Sequence, residues 1–589
     1  MALFRFHFGP ADPLPGPLDR PTRGWGLPPL PSRLGGRLAL GLGLLGVALL
    51  TYLGWKLFWF LTDDAYIAFR YISNSVLGYG YTWNPPPFRP VEGYTSFAWV
   101  VLLDGIWRLF QVPPPAAANT VSLGFAYGSL VVGCWWGLRM RLPAATESFR
   151  YLLVGLVLLG TVTNRTFLAW TSSGLETALF NFLVTVWLCQ MICLDARRRR
   201  WILGTVSVAA LVYLTRPDGL LFVGGTLLVL LYGWWRRQWP LRSLWLATPL
   251  LVIPGHLVWR KLYYTAWLPN TYHAKSGFWP ESGVRYLLSF FLEYSLWFWL
   301  LLLVVWLVRR RRRTGRDETA RAGGSSPADQ CQTTIPVRTV VALAVLLAHF
   351  GYYTFVVGGD HFEYRVYSHL ILLLFLSAAW LASRLFVEGR GALLALSLFI
   401  GLSYPLPWAH WAETHELTGR QETWVMIRPI AHRFPPPLRW YVGLFDRTQA
   451  SLIERLVCAR HQEHKVFHLT QIRNYPTRED GARITWHDHY PIMSIPSVGV
   501  PGWVLPNVAI IDLFGLNDYV IARNKESDRG AERREMAHNR FPPAGYVECF
   551  VPNTRWTRDQ GVVVYQRSVA VTPAKIRNCE EQWWQRMDR

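Results

Sequence analysis

Residues 38–66 have the sequence LALGLGLLGVALLTYLGWKLFWFLTDDAY, and the fold class follows from them. The first part, Leu38–Leu61, is an apolar run, and about 20 such residues suffice for a helix to cross a bilayer. The run ends at two adjacent carboxylates, Asp63 and Asp64, which are costly in hydrocarbon. These residues therefore predict a membrane-spanning helix with an acidic pair at its far end.

The same apolar pattern continues through two thirds of the 589-residue chain, which is 51% hydrophobic. Eleven further blocks follow: Ser96–Phe110, Thr120–Leu138, Tyr151–Trp170, Leu175–Leu194, Trp201–Leu214, Leu220–Trp235, Leu244–Leu262, Tyr286–Val308, Val340–Val357, Val366–Val387 and Ala392–Trp408. These blocks predict a polytopic α-helical membrane protein.

The formal charge of +22 comes mainly from basic clusters in the loops between these blocks. Lys and Arg in short loops mark the cytoplasmic side, so the charge does not indicate a nucleic-acid partner. All basic clusters fall on the cytoplasmic side only if one early apolar block does not cross the membrane. Ser96–Phe110 is that block, because it is short and carries Asp104 and Arg108. We expect it to lie along the interface, which leaves about eleven spans.

This topology divides the chain into three parts. Residues 1–37, rich in Pro, Gly and Arg, are predicted to be a disordered cytoplasmic tail without a cleaved signal. Residues 38–409 form the transmembrane part, with a flexible cytoplasmic linker at Thr314–Pro336. Residues 410–589 are predicted to be extracytoplasmic, at the outer face of a cell inner (plasma) membrane.

The C-terminal region is predicted to be a mixed α/β or β-rich soluble domain. Strand-like stretches lie at Val508–Ile511 and Gly561–Tyr565, and Ile510–Asp518 is predicted to be a buried strand that runs into a turn. Cys549 and Cys579 could form a disulfide if the C-terminal region lies in an oxidising compartment. No cysteine or histidine spacing indicates a zinc site.

The polar motifs gather in the loops that this topology places outside. Asp63 and Asp64 could act as a general base on a hydroxyl or bind a divalent cation, and the competing interpretation is a plain helix cap. Several loops that converge on one face are a common way to build an active site.

The other outer motifs also have structural alternatives. Glu176 could complete a capping box with the preceding serines. Arg216 and Asp218 could form an ion pair that closes a hairpin. His273 and Lys275 suit an anionic headgroup, but the same segment could be an interfacial anchor.

Two loops remain. The segment Gly358–Arg365 could be a tight turn or could offer Arg365 to a phosphate. In the Pro-rich loop Asn84–Thr95, Glu92 and Tyr94 are displayed as a sugar site would display them, and a structural ion pair is favoured for Arg89.

Taken together, these motifs resemble the GT-C superfamily of integral-membrane glycosyltransferases, and within it the bacterial arabinofuranosyltransferase branch. The resemblance rests on motifs that follow one another along most of the chain: Asp63-Asp64-Ala65-Tyr66 with Arg70-Tyr71, Trp83-Asn84-Pro85, Val91-Glu92-Gly93-Tyr94-Thr95-Ser96, Gly174-Leu175-Glu176-Thr177, Thr215-Arg216-Pro217-Asp218-Gly219, Pro269-Asn270-Thr271-Tyr272-His273-Ala274-Lys275, Gly358-Gly359-Asp360 and Asp512-Leu513-Phe514-Gly515-Leu516-Asn517-Asp518.

The resemblance implies a GT-C fold and an inverting transfer of a sugar from a polyprenyl-phosphate donor to a glycan, glycolipid or protein acceptor. It implies Asp63 as the catalytic base, with Asp64 as the alternative. The implied substrate-binding residues are Arg70, Glu92, Tyr94, Glu176, Asp218, His273, Lys275, Asp360, His361 and Arg365.

No cofactor is required by this chemistry, because side chains alone can hold a phosphate leaving group, although a divalent cation remains open. A polyprenyl-phosphate hexose donor, as in mannosyl transfer, is the alternative within enzymes. A transporter of lipid-linked glycans is the alternative outside them, and it would need polar residues along the middle of the spans.

Overall fold

The computed structural model describes residues 34–275, 277–321, 336–484, 489–524, 540–557, 561–564 and 571–587. The predicted tail, residues 1–37, lies outside this part of the chain except for its last four residues, which begin the first helix.

Up to residue 414 the described chain is a succession of helices. They are α1 (Leu34–Leu57), α2 (Asp63–Val76), α3 (Phe97–Phe110), α4 (Pro114–Arg139), α5 (Ala144–Glu147), α6 (Arg150–Val162), α7 (Arg165–Ala169), α8 (Thr177–Cys193), α9 (Arg199–Thr215), α10 (Leu220–Trp235), α11 (Val252–Tyr264), α12 (Asn270–Lys275), α13 (Pro280–Glu293), α14 (Leu296–Arg321), α15 (Val337–Gly351), α16 (Ile371–Leu385), α17 (Gly389–Ser403) and α18 (Pro405–Thr414).

Within the described residues, seven helical segments are long and apolar enough to cross a membrane, or eight if the bent pair α13–α14 counts as one. Helices α6, α8 and α9, with 13, 17 and 17 residues, coincide with three further predicted blocks but are shorter. The polytopic helical fold is thus confirmed. The segment Arg365–Leu385 is the central one, with 72% of its apolar window buried, against 11% in α1.

The predicted span Tyr286–Val308 is wrong as a single helix. Helices α13 and α14 meet at a bend of 88° after Glu293, where Ser295 adopts a left-handed backbone conformation with φ 50°. Helix α13 buries Ser289 and Glu293 within the protein.

Two other expectations change in detail. The first part of the expected flexible linker, Thr314–Arg321, is helical, because α14 continues to Arg321. Residues 322–335 lie outside the described ranges. Helix α3 has 14 residues, about 21 Å at about 1.5 Å per residue, which is shorter than a bilayer core. Its Asp104 forms an ion pair with Arg108 at 3.0 Å. Its interfacial orientation stays a prediction.

The C-terminal region is mixed α/β and not β-rich. Its elements are α19 (Arg420–Thr423), α20 (Arg439–Ile453), α21 (His461–Asn474), α22 (Arg478–Ala482), β1 (Ile492–Ile495), α23 (Gly499–Val504), β2 (Ala509–Asp512), α24 (Tyr519–Arg523), α25 (Tyr546–Cys549), β3 (Thr554–Thr557), β4 (Gly561–Val564) and α26 (Pro573–Met587).

Both predicted strand stretches are strands. Strand β2 pairs in parallel with β1, with Ile492 opposite Ala509, and β3 pairs antiparallel with β4. A disulfide joins Cys549 to Cys579. The boundary placed at residue 410 falls inside α18, and the C-terminal region packs directly onto loops of the helical part, for example at Asp63 and Gly358–Arg365.

Candidate active site

The acidic pair lies in the first turn of α2. Thr62 is the N-cap, and its hydroxyl accepts a hydrogen bond from the backbone N–H of Ala65 at 3.2 Å. The cap is therefore the threonine and not the acids. Negative charge is favoured at this position, because the N-terminus of a helix carries a partial positive charge.

The two carboxylates have different surroundings. Asp63 accepts backbone hydrogen bonds from Gly499 at 3.1 Å and Val500 at 2.8 Å, both from the C-terminal region. Burial raises the pKa of Asp63 to about 6, although these hydrogen bonds act in the opposite direction. Asp64 is half-buried and has no hydrogen-bond partner among the residues that the structure describes. The tertiary structure therefore holds the carboxylate of Asp63 in place and leaves the carboxylate of Asp64 available for a ligand.

The loop that begins at Gly358 is held by the C-terminal region. Backbone N–H groups of Cys458 and Ala459 donate to the carbonyls of Asp360 and His361 at 2.9 and 2.8 Å. The Nδ1 of His361 lies 2.7 Å from the carbonyl oxygen of Leu456. Since a carbonyl only accepts, Nδ1 carries the hydrogen, and the neutral ring keeps its lone pair on Nε2.

Several predicted residues surround His361. Burial lowers its pKa, the charges of Asp64 and Asp360 raise it, and the charge of Lys275 lowers it. These groups come from the start of α2, from α12 and from the loop that begins at Gly358, and together with His361 they form the first polar cluster. Lys275 is exposed and forms no ion pair within the described ranges, which leaves its ammonium group open to an anionic ligand.

Arg365 connects the first polar cluster to a second one. Its Nε donates to Asp360 at 2.7 Å, and its guanidinium lies 4.5 Å above the ring of Phe362. Arg216 and Glu176 also act on the pKa of Arg365. Arg365 therefore lies between the first cluster and the second.

Arg216 is the centre of the second cluster. It contacts Asp218 at 3.1 Å, Glu176 at 3.0 Å and the hydroxyl of Tyr353 at 2.5 Å. Asp218 in turn contacts His349 Nε2 at 2.9 Å. The expected ion pair between Arg216 and Asp218 is confirmed. The capping-box alternative for Glu176 is wrong, because this side chain binds Arg216 and makes no capping hydrogen bond.

Comparison with known proteins finds a structural similarity. No protein-family model matches the chain, and no curated protein matches it. A solved structure, ArnT from Cupriavidus metallidurans bound to undecaprenyl phosphate, aligns with a TM-score of 0.44 and 12% sequence identity. The alignment covers 81% of this chain and 86% of ArnT. Similarity at this level leaves the function to be argued from the site itself.

One of the predicted substrate-binding residues is a structural clamp. Arg70 is fully buried, and its guanidinium donates to the carbonyls of Trp83, Gly502, Leu505 and Val508 and to the side chain of Asn84. These contacts use the donors of Arg70, so no hydrogen remains for a substrate. Its assignment as a substrate-binding residue is therefore corrected.

Glu92 and Tyr94 are also buried. Glu92 forms an ion pair with Arg260 at 2.6 Å, and burial raises its pKa to about 7 although Arg260 lowers it. The hydroxyl of Tyr94 lies 3.3 Å from that of Tyr264. Both residues support the loop from inside, which corrects their assignment as substrate ligands.

His273 lies at the edge of the site. It is half-buried on α12, and burial together with the charges of Arg523 and Arg540 lowers its pKa to about 4. The neutral imidazole therefore suits hydrogen bonding better than charge pairing with a phosphate. Its role in substrate binding stays a prediction.

The sequence analysis missed the polar residues that lie inside apolar blocks. His349 falls within Val340–Val357 and His369 within Val366–Val387. A histidine in a membrane-spanning segment is costly unless it faces the protein interior, so its position was a usable signal. Within the described ranges, no three His, Cys, Asp or Glu side chains are placed to hold a metal ion.

Proposed function

We propose that the protein is an integral-membrane glycosyltransferase of the GT-C type. It transfers a sugar, arabinofuranose, from a polyprenyl-phosphate donor to an acceptor hydroxyl on the outer side of the membrane. The observation that carries this proposal is the first polar cluster, where Asp64, Lys275 and His361 come from three separate segments and lie within electrostatic range of one another, next to Asp63.

The acidic pair supplies the base. A carboxylate takes the proton from the acceptor hydroxyl as the hydroxyl oxygen attacks C1 of the sugar from the face opposite the phosphate. The bond from C1 to the phosphate oxygen breaks, the new glycosidic bond forms with inversion, and the transition state has oxocarbenium character. Asp63 is the first candidate for this base, with its carboxylate held by two backbone N–H groups, and Asp64 is the second.

The cations stabilise the leaving group. Lys275 offers an ammonium group that forms no ion pair among the described residues, and Arg365 offers the terminal nitrogens that its contact with Asp360 leaves over. Positive charge placed where the phosphate becomes a free anion lowers the barrier of the transfer step. The polyprenyl chain would lie along the apolar, exposed outer surface of the helices.

The compartment is part of the proposal. The Cys549–Cys579 disulfide supports an oxidising environment for the C-terminal region. The apolar helices support a multi-pass protein of the inner membrane, with its basic loops in the cytoplasm.

The test is to incubate the purified protein with radiolabelled polyprenyl-phosphate sugars and to measure which one it consumes. Consumption of the arabinofuranose donor, with release of polyprenyl phosphate, supports the proposal. Consumption of only a hexose donor would replace the sugar and keep the reaction. If no donor is consumed and intact lipid-linked glycan is moved between leaflets instead, the protein is a transporter.

A further inference from the structure

One surface of the C-terminal region combines exposed aromatic and apolar side chains with arginines. It is formed by residues 424–447, which include the start of α20, and we call it the aromatic–basic surface. Trp424, Leu438 and Trp440 are 52%, 50% and 70% exposed on it. The same stretch contains four arginines and a single acidic residue, Asp446. The proposed transfer reaction uses none of these side chains.

Most of the positive charge on this surface is available to an outside partner. Arg433 forms an ion pair with Glu413. Arg428, Arg439 and Arg447 are exposed, and they form no ion pair among the residues that the structure describes. The surface therefore carries an excess of positive charge that suits an anionic partner.

Hydrogen bonds and prolines fix the backbone of this surface. The carboxylate of Asp446 accepts from the backbone N–H groups of Ile430 and Ala431, at 3.0 Å each, so it is not directed at the arginines. Three consecutive prolines, Pro435–Pro437, restrict the turn that precedes α20. Exposed apolar side chains that gather on a fixed backbone mark a site of contact with a partner or a membrane.

The surface adjoins helices that are long and apolar enough to cross the membrane. The hydroxyl of Tyr441 donates to the carbonyl of Leu292 at 2.6 Å, beside the bend between α13 and α14. Val442 shares a buried apolar cluster with Leu292 and with Leu406 of α18, and α18 is part of the candidate span Gly389–Thr414. The C-terminal region is thus packed against the ends of two apolar helices at this surface.

The bend places the surface at the level of the membrane interface. Helix α13 meets the apolar helix α14 at 88°, so α13 lies along the membrane surface when α14 crosses the bilayer. Helix α20 packs against α13 and therefore lies at the same level. Trp and Tyr are enriched at this depth, because each has an apolar ring and a polar group. Arginine at this depth can pair with lipid phosphates.

We propose that the aromatic–basic surface binds anionic phospholipid beside α14 and α18. Lipid is favoured over a partner protein, because the surface continues into the lipid-facing side of α14. Trp297, in the first turn of α14, is 39% exposed and interacts with Tyr441. The assignment holds for either side of the membrane, and it does not depend on the proposed transfer reaction.

The test determines which lipid touches the surface in the complete protein. Leu438→Cys is labelled with bimane, and the protein is reconstituted into bilayers of equal parts phosphatidylcholine and phosphatidylglycerol. In one preparation the phosphatidylcholine carries brominated acyl chains, and in the other the phosphatidylglycerol does. Bromine quenches the label at short range, so the two preparations report the lipid next to position 438. The protein without the added cysteine gives the background from its own thiols.

We expect the label at position 438 to be quenched, with phosphatidylglycerol enriched about fivefold over phosphatidylcholine beside it. That preference is the effect of about one arginine at an anionic surface. Arg428→Gln combined with Arg439→Gln should remove the preference and keep the quenching, since the apolar side chains remain. Salt at about 1 M should also reduce the preference, because it screens exposed charges.

Two matched controls lie on α21, away from the bend. Ile472 is an exposed apolar residue of the C-terminal region, near the end of α21 where Trp556 of β3 contacts the carbonyl of Asn474. A label on Ile472→Cys should not be quenched by either lipid. Arg473 is also exposed, and Arg473→Gln should leave the preference at position 438 unchanged.

Three results would overturn the proposal. Absence of quenching at position 438 would show that lipid does not cover the surface, and energy transfer between labelled copies would then assign it to a second copy of the chain. Equal quenching by the two lipids would remove the anionic headgroup from the assignment. A preference that survives the loss of both arginines would do the same. Thermal midpoints in detergent check that each variant is folded, and the comparison in Leu438→Cys decides by itself if the arginine variant is not.

Discussion

At the residue scale, the acidic pair shows how neighbours in sequence acquire different properties. Asp63 and Asp64 both stand in the first turn of α2, yet only Asp63 is held by Gly499 and Val500. A side chain at Gly499 would place its Cβ 1.8 Å from the carbonyl oxygen of Asp63, so this close approach requires glycine. The C-terminal region thereby orients the proposed base.

The first prediction separates the two acids by substitution. Asp63→Asn should lower kcat about 10²- to 10⁴-fold if Asp63 is the base, with a much smaller effect on donor binding. Asp64→Asn should have a milder effect. Because an amide presents one donor to the N–H groups of Gly499 and Val500, the Asp63→Asn variant needs a thermal-stability control. A dead Asp64→Asn beside an active Asp63→Asn would move the role to Asp64.

The second prediction concerns pH. Burial raises the pKa of Asp63 to about 6, and a base must be ionised, so kcat/KM should rise as the pH increases through about 6. This limb should persist in Asp64→Asn and disappear in Asp63→Asn. The pKa of Asp63 in the folded state is above the ordinary value of 3.8, so the folded protein binds this proton more tightly than the unfolded chain does. As the pH rises from 3.8 to about 6, the contribution of Asp63 to the free energy of unfolding therefore decreases. A profile that is flat between about pH 5 and 7 would contradict this assignment.

The third prediction concerns the phosphate. Lys275→Ala should weaken binding of the lipid donor by roughly 1.5–3 kcal/mol, the range for a charge-assisted hydrogen bond, and should leave stability unchanged because Lys275 is exposed. Arg365→Ala should weaken binding too, but it also leaves Asp360 without its ion pair. Lys261→Ala, on α11, is the matched control. If Lys275→Ala and Arg365→Ala both bind donor as the wild type does, the phosphate lies elsewhere.

At the element scale, length and polarity together decide which helices cross the membrane. The predicted blocks are helical, but α13 and α14 divide one of them at a right angle. The division falls after Glu293, whose carboxylate contacts Arg460 at 2.9 Å. The carboxylate of Glu293 is buried, and a charge inside a membrane protein is stable when it is paired in this way.

The fourth prediction tests the orientation of α3. Val101 and Leu109 are exposed on this helix, by 42% and 78%, and lie eight residues apart. Spin labels on cysteines at these positions should report similar depths in liposomes if α3 lies along the interface. An upright helix would separate them by about 12 Å along the membrane normal. That second result would invert the side assigned to every later loop.

At the scale of the whole molecule, the loops that carry the polar motifs pack against the C-terminal region. Arg460 contacts Glu293 and Glu363 at 2.9 and 3.2 Å, and Glu363 contacts Arg165 at 3.1 Å. All four residues are buried, so the ion pairs cannot be exchanged for water without opening the interface.

The Ile510–Asp518 motif has a related structural role. Asp512 accepts hydrogen bonds from the backbones of Phe514 and Asn517, which shapes the turn. The side chain of Asn270 then donates to the carbonyls of Gly515, Leu516 and Asp518. This motif therefore docks α12, with its Lys275, onto the C-terminal region.

The fifth prediction concerns topology. A cysteine at Gln421, in the exposed part of the C-terminal region, should react with an impermeant thiol reagent on intact spheroplasts. A cysteine at Ser325, outside the described ranges, should react only after permeabilisation, because the basic run before it is expected in the cytoplasm. The reverse labelling pattern would overturn the topology.

Most of the helices, the strands β2 and β4 and the pairing of Arg216 with Asp218 could be predicted from the sequence, because each depends on residues that are near one another in the chain. Apolar length, Pro and Gly turns and adjacent opposite charges are local properties. The sequence also showed that the polar motifs gather in a few loops.

Which motif residues are used inside the protein, and which are left for a ligand, could be read only from the folded chain. Arg70 and Val508 are separated by 438 positions, and no local pattern indicates that their hydrogen bond exists. A buried arginine that holds two parts of a fold has the same sequence context as one that binds phosphate. The physical difference lies in whether its donors are satisfied within the protein, which depends on contacts between residues that are far apart along the chain.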